Sequence, residues 1–587
     1  MSAISDRARG RITDAVIALG LFFGYVTTLL RGVQDLGYAR DEGFYFQASS
    51  SYARWFDLLL EDRKAALVPQ TVDAFWNANP EHPGLIKGLF ALSNLFLQKK
   101  LHLFAMEGTS YRFPAMVLGG LAIVLVYLWG AEARGRVAGL FAALFLALMP
   151  RFFFQAHLAC FDVPIVTMWT LTAYAYWKSL RAPSLLWPVL TGVAFGLALD
   201  TKHNAWFLPF VVVAHIVGRE VIHQLEARIR GVRDPAFGPS RLRSLTALGA
   251  MALFGPMVFV LLWPHLWHDT LARFRWYASF HLNHEYYNME FLGKNYWSPP
   301  MPRAYAWVMT ATTVPGITLL LFFVGLGVRA RARLLSPLAT ALSTRSAALA
   351  RWAAELPVPR FDPGSTDLLW LLGLVVNYAA WTLTKTPIFG GTKHWMTAYP
   401  FLALFAGCGF AAVVRAIRRE LLRHRRRFTW ALAAGRSALP VTALAGAAVI
   451  AAPAAETLHA HPWGLSAYTP LAGGAPGAAT LGLNRSFWGY TTGAILPELN
   501  RDVPKRGSVY VHDTAGPSWD MLATDGRLRR DIRGVWSVAG ADYALYHHEK
   551  HMRGQEFQAW VAYGTVRPAI IGGLDGVPVI LVYKARH

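Results

Sequence analysis

Over its first three quarters the chain alternates long apolar runs with short polar turns, and the runs are long enough to cross a bilayer. They fall at 13–32, 113–131, 137–153, 163–180, 185–199, 205–217, 245–264, 304–328, 367–384, 396–414 and 437–455. The pattern predicts a mainly α, polytopic membrane protein with about eleven transmembrane helices. One further run, GLIKGLFALSNLF from Gly84, is short for a span and carries Lys87.

Charge decides how that run is used. Arg7, Arg9 and Arg11 put the N-terminus in the cytoplasm. If the Gly84 run does not cross, then Arg134, Arg136, Lys178, Arg181 and the basic stretches 219–243, 329–360 and 415–427 all face inside. If it crosses, every one of them turns outward. The run is therefore expected to lie along the surface, as one of two interfacial helices in a first outer loop, 33–112. The outer side then gathers Asp41, Glu42, the turn around Asp162, Lys202, His203, the His-rich loop 265–302 and Thr392-Lys393-His394.

After residue 456 the pattern changes. Glycine, proline and turn signals increase, and the runs SVYVHD, DYALYHH and VPVILVYKA read as strands. Two domains are expected: 1–456 in the membrane, and 457–587 as an extracytoplasmic soluble α/β domain.

Composition agrees with the membrane reading. The chain is 54% hydrophobic and 16% charged, against about 25% charged in soluble domains. The 57 Lys and Arg exceed the 35 acids, for a net charge of +22. Because the Arg clusters sit between apolar runs, topology explains the excess and no nucleic-acid partner is expected. The two cysteines, Cys160 and Cys408, form no metal-ligand pattern and are not expected to pair. The basic, then apolar N-terminus lacks a small-residue cleavage site, so a retained first helix is expected.

Several polar groups lie where the apolar runs end. Asp41 and Glu42, flanked by Tyr38, Phe44 and Tyr45, either start a helix or take a proton from a hydroxyl. Glu81 and His82 precede Pro83, a helix start whose amides can hold phosphate. Arg112 either anchors its helix at the headgroups or grips a phosphate. Asp162 either caps a helix or has a function, since an acid beside a span is costly without a partner. Lys202-His203 and Lys393-His394 are two Thr-Lys-His triplets that either snorkel to lipid or share an anionic ligand. His265, His268, His281 and His284 match no common metal spacing and read as an interfacial loop. His547 and His551 lack the glutamate placement of a zincin.

Taken in order, DEGFYF, EHPGLIK, YRFPAMVLGGLAIVLVYLWG, ARGR, LFLALMP and FDVPI make residues 13–415 resemble GT-C glycosyltransferases of the family 39 type. These include protein O-mannosyltransferases and the lipid A aminoarabinose transferase. TPLAGGAPGA also looks like the tails of bacterial members. The chain departs from the pattern by having His-Pro-Gly where the family usually has His-Pro-Pro. His82 also stands where the aminoarabinose enzymes carry Lys, while Glu81 matches their acid. It sits between subfamilies and inherits no substrate from either.

The resemblance implies an inverting hexosyl- or pentosyltransferase in the plasma (inner) membrane. It would move a sugar from a polyprenyl-phosphate carrier to a hydroxyl of a lipid, glycan or protein on the outer, periplasmic side. It implies that Asp41 is the catalytic base, with Glu42 helping to position the acceptor, Asp162 orienting the sugar or supporting Asp41, and Glu81 positioning the acceptor or the helix start. Arg112, His82, Lys202, His203, Lys393 and His394 would hold the donor phosphate. It leaves a divalent metal open, since some members use one and others do not, and no metal ligand is assigned. The rival reading is a transporter or flippase for lipid-linked sugars. Such a fold would place charges and matched broken helices at mid-membrane, and the sequence shows no matched pair. A third reading is an assembly factor or receptor working through its C-terminal domain.

Overall fold

A helix stands at every predicted span in the computed structural model, which describes residues 2–230, 237–331, 346, 351, 362–423 and 438–586. Among the described residues, six helices are long and apolar enough to cross a membrane: Ala8–Asp35, Glu107–Arg134, His203–Leu225, Phe237–Leu262, Met396–Arg423 and Pro440–Ala460. The number rises to eight if each of two bent pairs is one span. One pair, Arg136–Ala147 and Pro150–Ala156, bends by 71°; the other, Tyr305–Thr313 and Gly316–Ala330, bends by 115°. Each second piece starts at or just after a proline, Pro150 or Pro315, which has no amide hydrogen to continue the preceding helix. The sequence shows no matched pair of broken helices; the structure bends two spans, at Pro150 and at Pro315.

The basic turns meet at one end of the bundle. Arg136 pairs with Asp14 at 2.6 Å, Arg134 and Arg329 each reach Asp367 at 2.7 Å, and Arg181 reaches Asp362 at 3.2 Å. Arg219 donates to Ser240, which donates to the Pro363 carbonyl. Most of the predicted inner basic stretch 329–360, residues 424–427 of the stretch 415–427 and residues 231–236 of 219–243 lie outside the described residues. Helix Glu107–Arg134 runs from this end to Arg112 at the other, ~33 Å away along its axis at ~1.5 Å per residue.

At the opposite end the first loop folds into helices Arg40–Glu61, Arg63–Ala66, Pro69–Trp76 and Gly84–Leu92, the last continued by a wider turn over Ser93–Lys100. Helix Arg40–Glu61 buries Glu42, Tyr45, Phe46, Ser49, Tyr52 and Ala53, a stripe at helical spacing, while Phe44 stays exposed.

A short hairpin, β1 Met289–Phe291 with β2 Lys294–Tyr296, lies in the His-rich loop. The C-terminal segment builds a five-stranded sheet from β3 Ser508–Tyr510, β4 Arg533–Val535, β5 Tyr543–His547, β6 Ile570–Leu574 and β7 Val577–Lys584. The order is β4-β3-β5-β7-β6; β3 runs parallel to β4 and β5, and β7 antiparallel to β5 and β6. Central β5 is buried throughout, as both its faces are covered.

This segment clasps the start of the first loop. Arg527 donates to the Leu36 carbonyl at 2.6 Å, Tyr38 donates to Asp525, Ser518 donates to the Ala39 carbonyl at 2.9 Å, and the Arg40 amide donates to Trp488 at 2.7 Å. One continuous apolar core holds Tyr25 and Trp169 of the helices together with Val509, Leu545 and Val582 of the sheet.

Candidate active site

Glu42 and Arg112 form the rigid back of the site. Glu42 accepts from Arg112 Nε and Nη2, each at 2.7 Å, and from the Ala39 and Ala159 amides, each at 2.8 Å. Arg112 Nη2 also donates to the Gly37 carbonyl at 2.6 Å and Nη1 to Val33 at 3.3 Å, with the guanidinium 4.4 Å over the Tyr38 ring. Both side chains are almost wholly buried. Glu42 is thus the capping residue of helix Arg40–Glu61 through the Ala39 amide, and Arg112 is its counter-charge. Arg112 was expected on the donor phosphate; its donors are turned inward, onto Glu42 and two carbonyls, instead.

Asp41 points the other way. Its side chain is 24% exposed, against 0% for Glu42 and 4% for Asp162, so it is the reachable one of the three acids. Arg40 lies 3.6 Å from it and is anchored to Asp513 at 2.6 Å. Lys393 Nζ stands 4.0 Å from Asp41 Oδ2. Lys393 is buried, with its ammonium 3.8 Å from the centre of the Trp488 ring and 5.5 Å from those of Phe389 and Phe487. It donates no hydrogen bond among the described residues. Burial pulls its pKa below the ordinary 10.5, while Asp41 and Asp162 pull it back up. The turn before it needs its glycines: Gly390 and Gly391 have φ of 75° and 64°, and a Cβ at Gly390 would sit 2.9 Å from Lys393 Nζ.

Asp162 begins helix Asp162–Arg181 without capping it and accepts from Lys202 Nζ at 2.6 Å, both side chains buried. Neither lysine of the two triplets snorkels outward. Asp41 and Asp162 converge: Lys393, Tyr45 and Cys160 each feel the charge of both.

Histidines wall one side. His82 packs on Phe161 at 4.9 Å and on Tyr45 at 5.6 Å; His203 stacks on His281 at 4.3 Å; His394 shares its Nε2 with the Phe389 backbone. The Nδ1 atoms of His82, His203 and His394 have no partner. Burial, with Lys87 next for His82 and Lys393 next for His394, holds both rings well below the usual histidine value. They are therefore neutral near pH 7, able to act there as uncharged donors or acceptors.

The predicted anion site at the Gly84 helix is already filled. Asp200 Oδ1 accepts from the Gly84 amide at 3.1 Å. Lys87 donates to the Asn79 and His82 carbonyls, and Glu81 accepts from the Asn79 side chain. Glu81 thus braces the turn before the helix. Among the described residues no group of three or more His, Cys, Asp or Glu is placed to hold a metal ion. The two converging acids face lysine ammonium groups instead.

Sequence reasoning missed Asp200, Trp488, Asp513 and the clasp of the C-terminal segment. Asp200 had a signal, an acid two residues before Lys202. Trp488 and Asp513 had none, because their partners lie far away in the chain.

The geometry is that of a helical membrane protein with a lysine–carboxylate cluster at one end. Residues 91–228 match the family described as "Dolichyl-phosphate-mannose-protein mannosyltransferase". That segment includes Arg112, Asp162, Asp200, Lys202 and His203, and it bears out the glycosyltransferase resemblance read from the motifs. The dolichyl-diphosphooligosaccharide–protein glycosyltransferase subunit stt-3 of Caenorhabditis elegans is 21% identical over 276 residues, 43% of this chain. The match spans 35% of that relative's length. ArnT from Cupriavidus metallidurans bound to undecaprenyl phosphate aligns at 14% identity and TM-score 0.43, covering 97% of each chain. The oligosaccharyltransferase AglB from Archaeoglobus fulgidus, in complex with an inhibitory peptide and a dolichol-phosphate, aligns at 11% identity and TM-score 0.41. That alignment covers 94% of this chain and 71% of the other.

Proposed function

We propose that the chain is an inverting GT-C glycosyltransferase with about eleven membrane spans. In this reading it takes a sugar from a polyprenyl-phosphate carrier and passes it to an acceptor hydroxyl on the side opposite the arginine turns. The observation that carries the reading is Lys393: a buried ammonium with unfilled donors, 4.0 Å from the reachable carboxylate Asp41. A desolvated cation beside an accessible base suits a phosphate leaving group next to a hydroxyl that must lose its proton. The glycosyltransferase match over 91–228 supports it independently.

In this reading Asp41 takes the proton of the acceptor hydroxyl as its oxygen attacks the anomeric carbon in line, and the carrier phosphate departs from the opposite face. Lys393 balances the charge growing on that phosphate, and His82, His203 and His394 supply polar contacts. Lys202 holds Asp162 in place beside the sugar. Glu42 and Arg112 touch no substrate; they fix the helix that carries Asp41. Base catalysis would contribute roughly 10²–10⁴-fold, with positioning and electrostatics supplying the rest. The two broken spans invite the transporter reading. Both, however, line one cleft together with Gly390 and Gly391 of the Lys393 turn, instead of forming a matched pair of sites.

The test is Asp41→Asn in the full chain, assayed with a polyprenyl-phosphate-linked sugar in membranes. Transfer is expected to fall by roughly 10²-fold or more while the protein keeps its membrane level and unfolding midpoint. Full activity in that variant would remove Asp41 as the base.

A further inference from the structure

The two bent spans bring side chains to a cleft that the mechanism above does not use. The cleft is open, and ≈ 440 Å³ of empty space, open solvent included, lies against its lining. Arg151 enters from the helix after the first break, Tyr305 from the helix before the second, Glu290 from the hairpin, and Tyr468, Asn484 and Ser486 from the C-terminal segment. Gly390, Gly391 and Phe487 also line it, so it abuts the turn that carries Lys393.

Arg151 is 5% exposed and Ser486 1%. The guanidinium donates one hydrogen bond, from Nη2 to the Ala467 carbonyl at 3.3 Å, and lies 5.1 Å from the centre of the Tyr468 ring. Its Nε has no partner, and neither has Ser486 Oγ nor Asn484 Oδ1. Arg151 forms no ion pair with a carboxylate among the described residues. Glu290 is the acid of the lining, and burial pushes its carboxyl up.

An arginine keeps its charge at any physiological pH, so burying it without a counter-ion is unfavourable unless an anion arrives. Three unpaired polar atoms on the lining of one cleft mark a ligand's place rather than packing. The hydroxyl and amide groups suit sugar hydroxyls, and the planar guanidinium suits a carboxylate or phosphate. We propose that this cleft binds an acidic sugar unit, one bearing a carboxylate or a phosphate, with Arg151 holding the acid and Ser486 and Asn484 the hydroxyls. The binding claim stands by itself; only its use in catalysis rests on the transferase reading.

The test is calorimetric binding to the full chain in lipid nanodiscs, with glucuronic acid, glucose 6-phosphate and glucose as probes. The acids are expected to bind about tenfold or more tighter than glucose, as a charge-assisted contact would give. Arg151→Gln is expected to erase that preference and Ser486→Ala to weaken all three probes, with undecaprenyl-phosphate binding unchanged in both. Ser486→Ala, which removes one oxygen, keeps the test alive if the arginine variant does not fold. Equal binding of glucose and the acids overturns the proposal. So does an unchanged preference in Arg151→Gln, or a parallel loss of undecaprenyl phosphate, which would put Arg151 on the donor. Preloading with a carrier-linked neutral sugar names the source: acid probes that still bind mark an acceptor subsite, and displaced ones mark the donor's sugar. Failure of the transferase reading shows separately, as no sugar transfer from a polyprenyl-phosphate carrier by the unaltered chain.

Discussion

At the scale of single residues, Lys393 is the most informative group because its charge has two opposed consequences. Its folded pKa lies below the 10.5 of an ordinary lysine. Between those two values the unfolded chain binds more protons than the folded one, so this group's contribution to stability rises with pH. In the proposed mechanism phosphate binding needs the ammonium and changes in the opposite direction. On raising pH, undecaprenyl-phosphate affinity is therefore expected to fall with a midpoint below 10.5 while the unfolding midpoint holds. Lys393→Arg, which stays charged, should carry binding to higher pH. A titration in which affinity and fold are lost together would show that the alkaline limb belongs to unfolding instead. The Glu42–Arg112 pair makes a different demand. Arg112→Met leaves a buried carboxylate facing only backbone amides, and a loss of about 3–5 kcal/mol is expected in thermal unfolding. Glu42→Gln combined with Arg112→Met should lose less than Arg112→Met alone, because no uncompensated charge remains.

At the scale of elements, turns and helix starts aim the chemistry. The two glycines of FGGTKH adopt positive φ, and that turn folds Lys393 back toward Asp41. Gly390→Ala adds left-handed strain of about 1 kcal/mol or more and pushes a methyl against the lysine. Donor affinity is expected to drop severalfold with little change in the rest of the fold, and unchanged affinity would show that the turn does not set the lysine's position. The helices themselves were legible in the sequence, because a run of apolar residues long enough to cross a bilayer has few other uses. The strand cores SVY, YALYH and VPVILVYK were legible for the same local reason. Asp41, Asp162, Lys202 and Lys393 stood out as charges at the ends of apolar runs. Their partners could not be read in the same way. A lysine at a helix end looks alike whether it snorkels or turns inward to Asp162, and only the packing of distant helices decides.

At the scale of the whole molecule, the C-terminal segment packs against the candidate site. Residues 36–40 are held by Arg527, Asp525, Ser518 and Trp488, and Lys393 is covered by Trp488 and Phe487. Gly37 lies so close to Gly493 that a Cβ on Gly37 would stand 2.6 Å from the Gly493 nitrogen. Removing residues 460–587 is therefore expected to abolish donor binding, whereas a separate accessory domain would leave it intact. A milder change isolates the cause. Trp488→Ala deletes one ring, forfeiting a cation–π contact worth about 0.5–2 kcal/mol and admitting water to the ammonium. With burial relieved, the Lys393 pKa moves back toward 10.5, so the alkaline limb of undecaprenyl-phosphate binding should shift upward while affinity at neutral pH falls. A purely structural role for Trp488 predicts the fall in affinity without the shift. The direction of the limb therefore decides whether the distant segment tunes the lysine electrostatically or only holds the first loop in place.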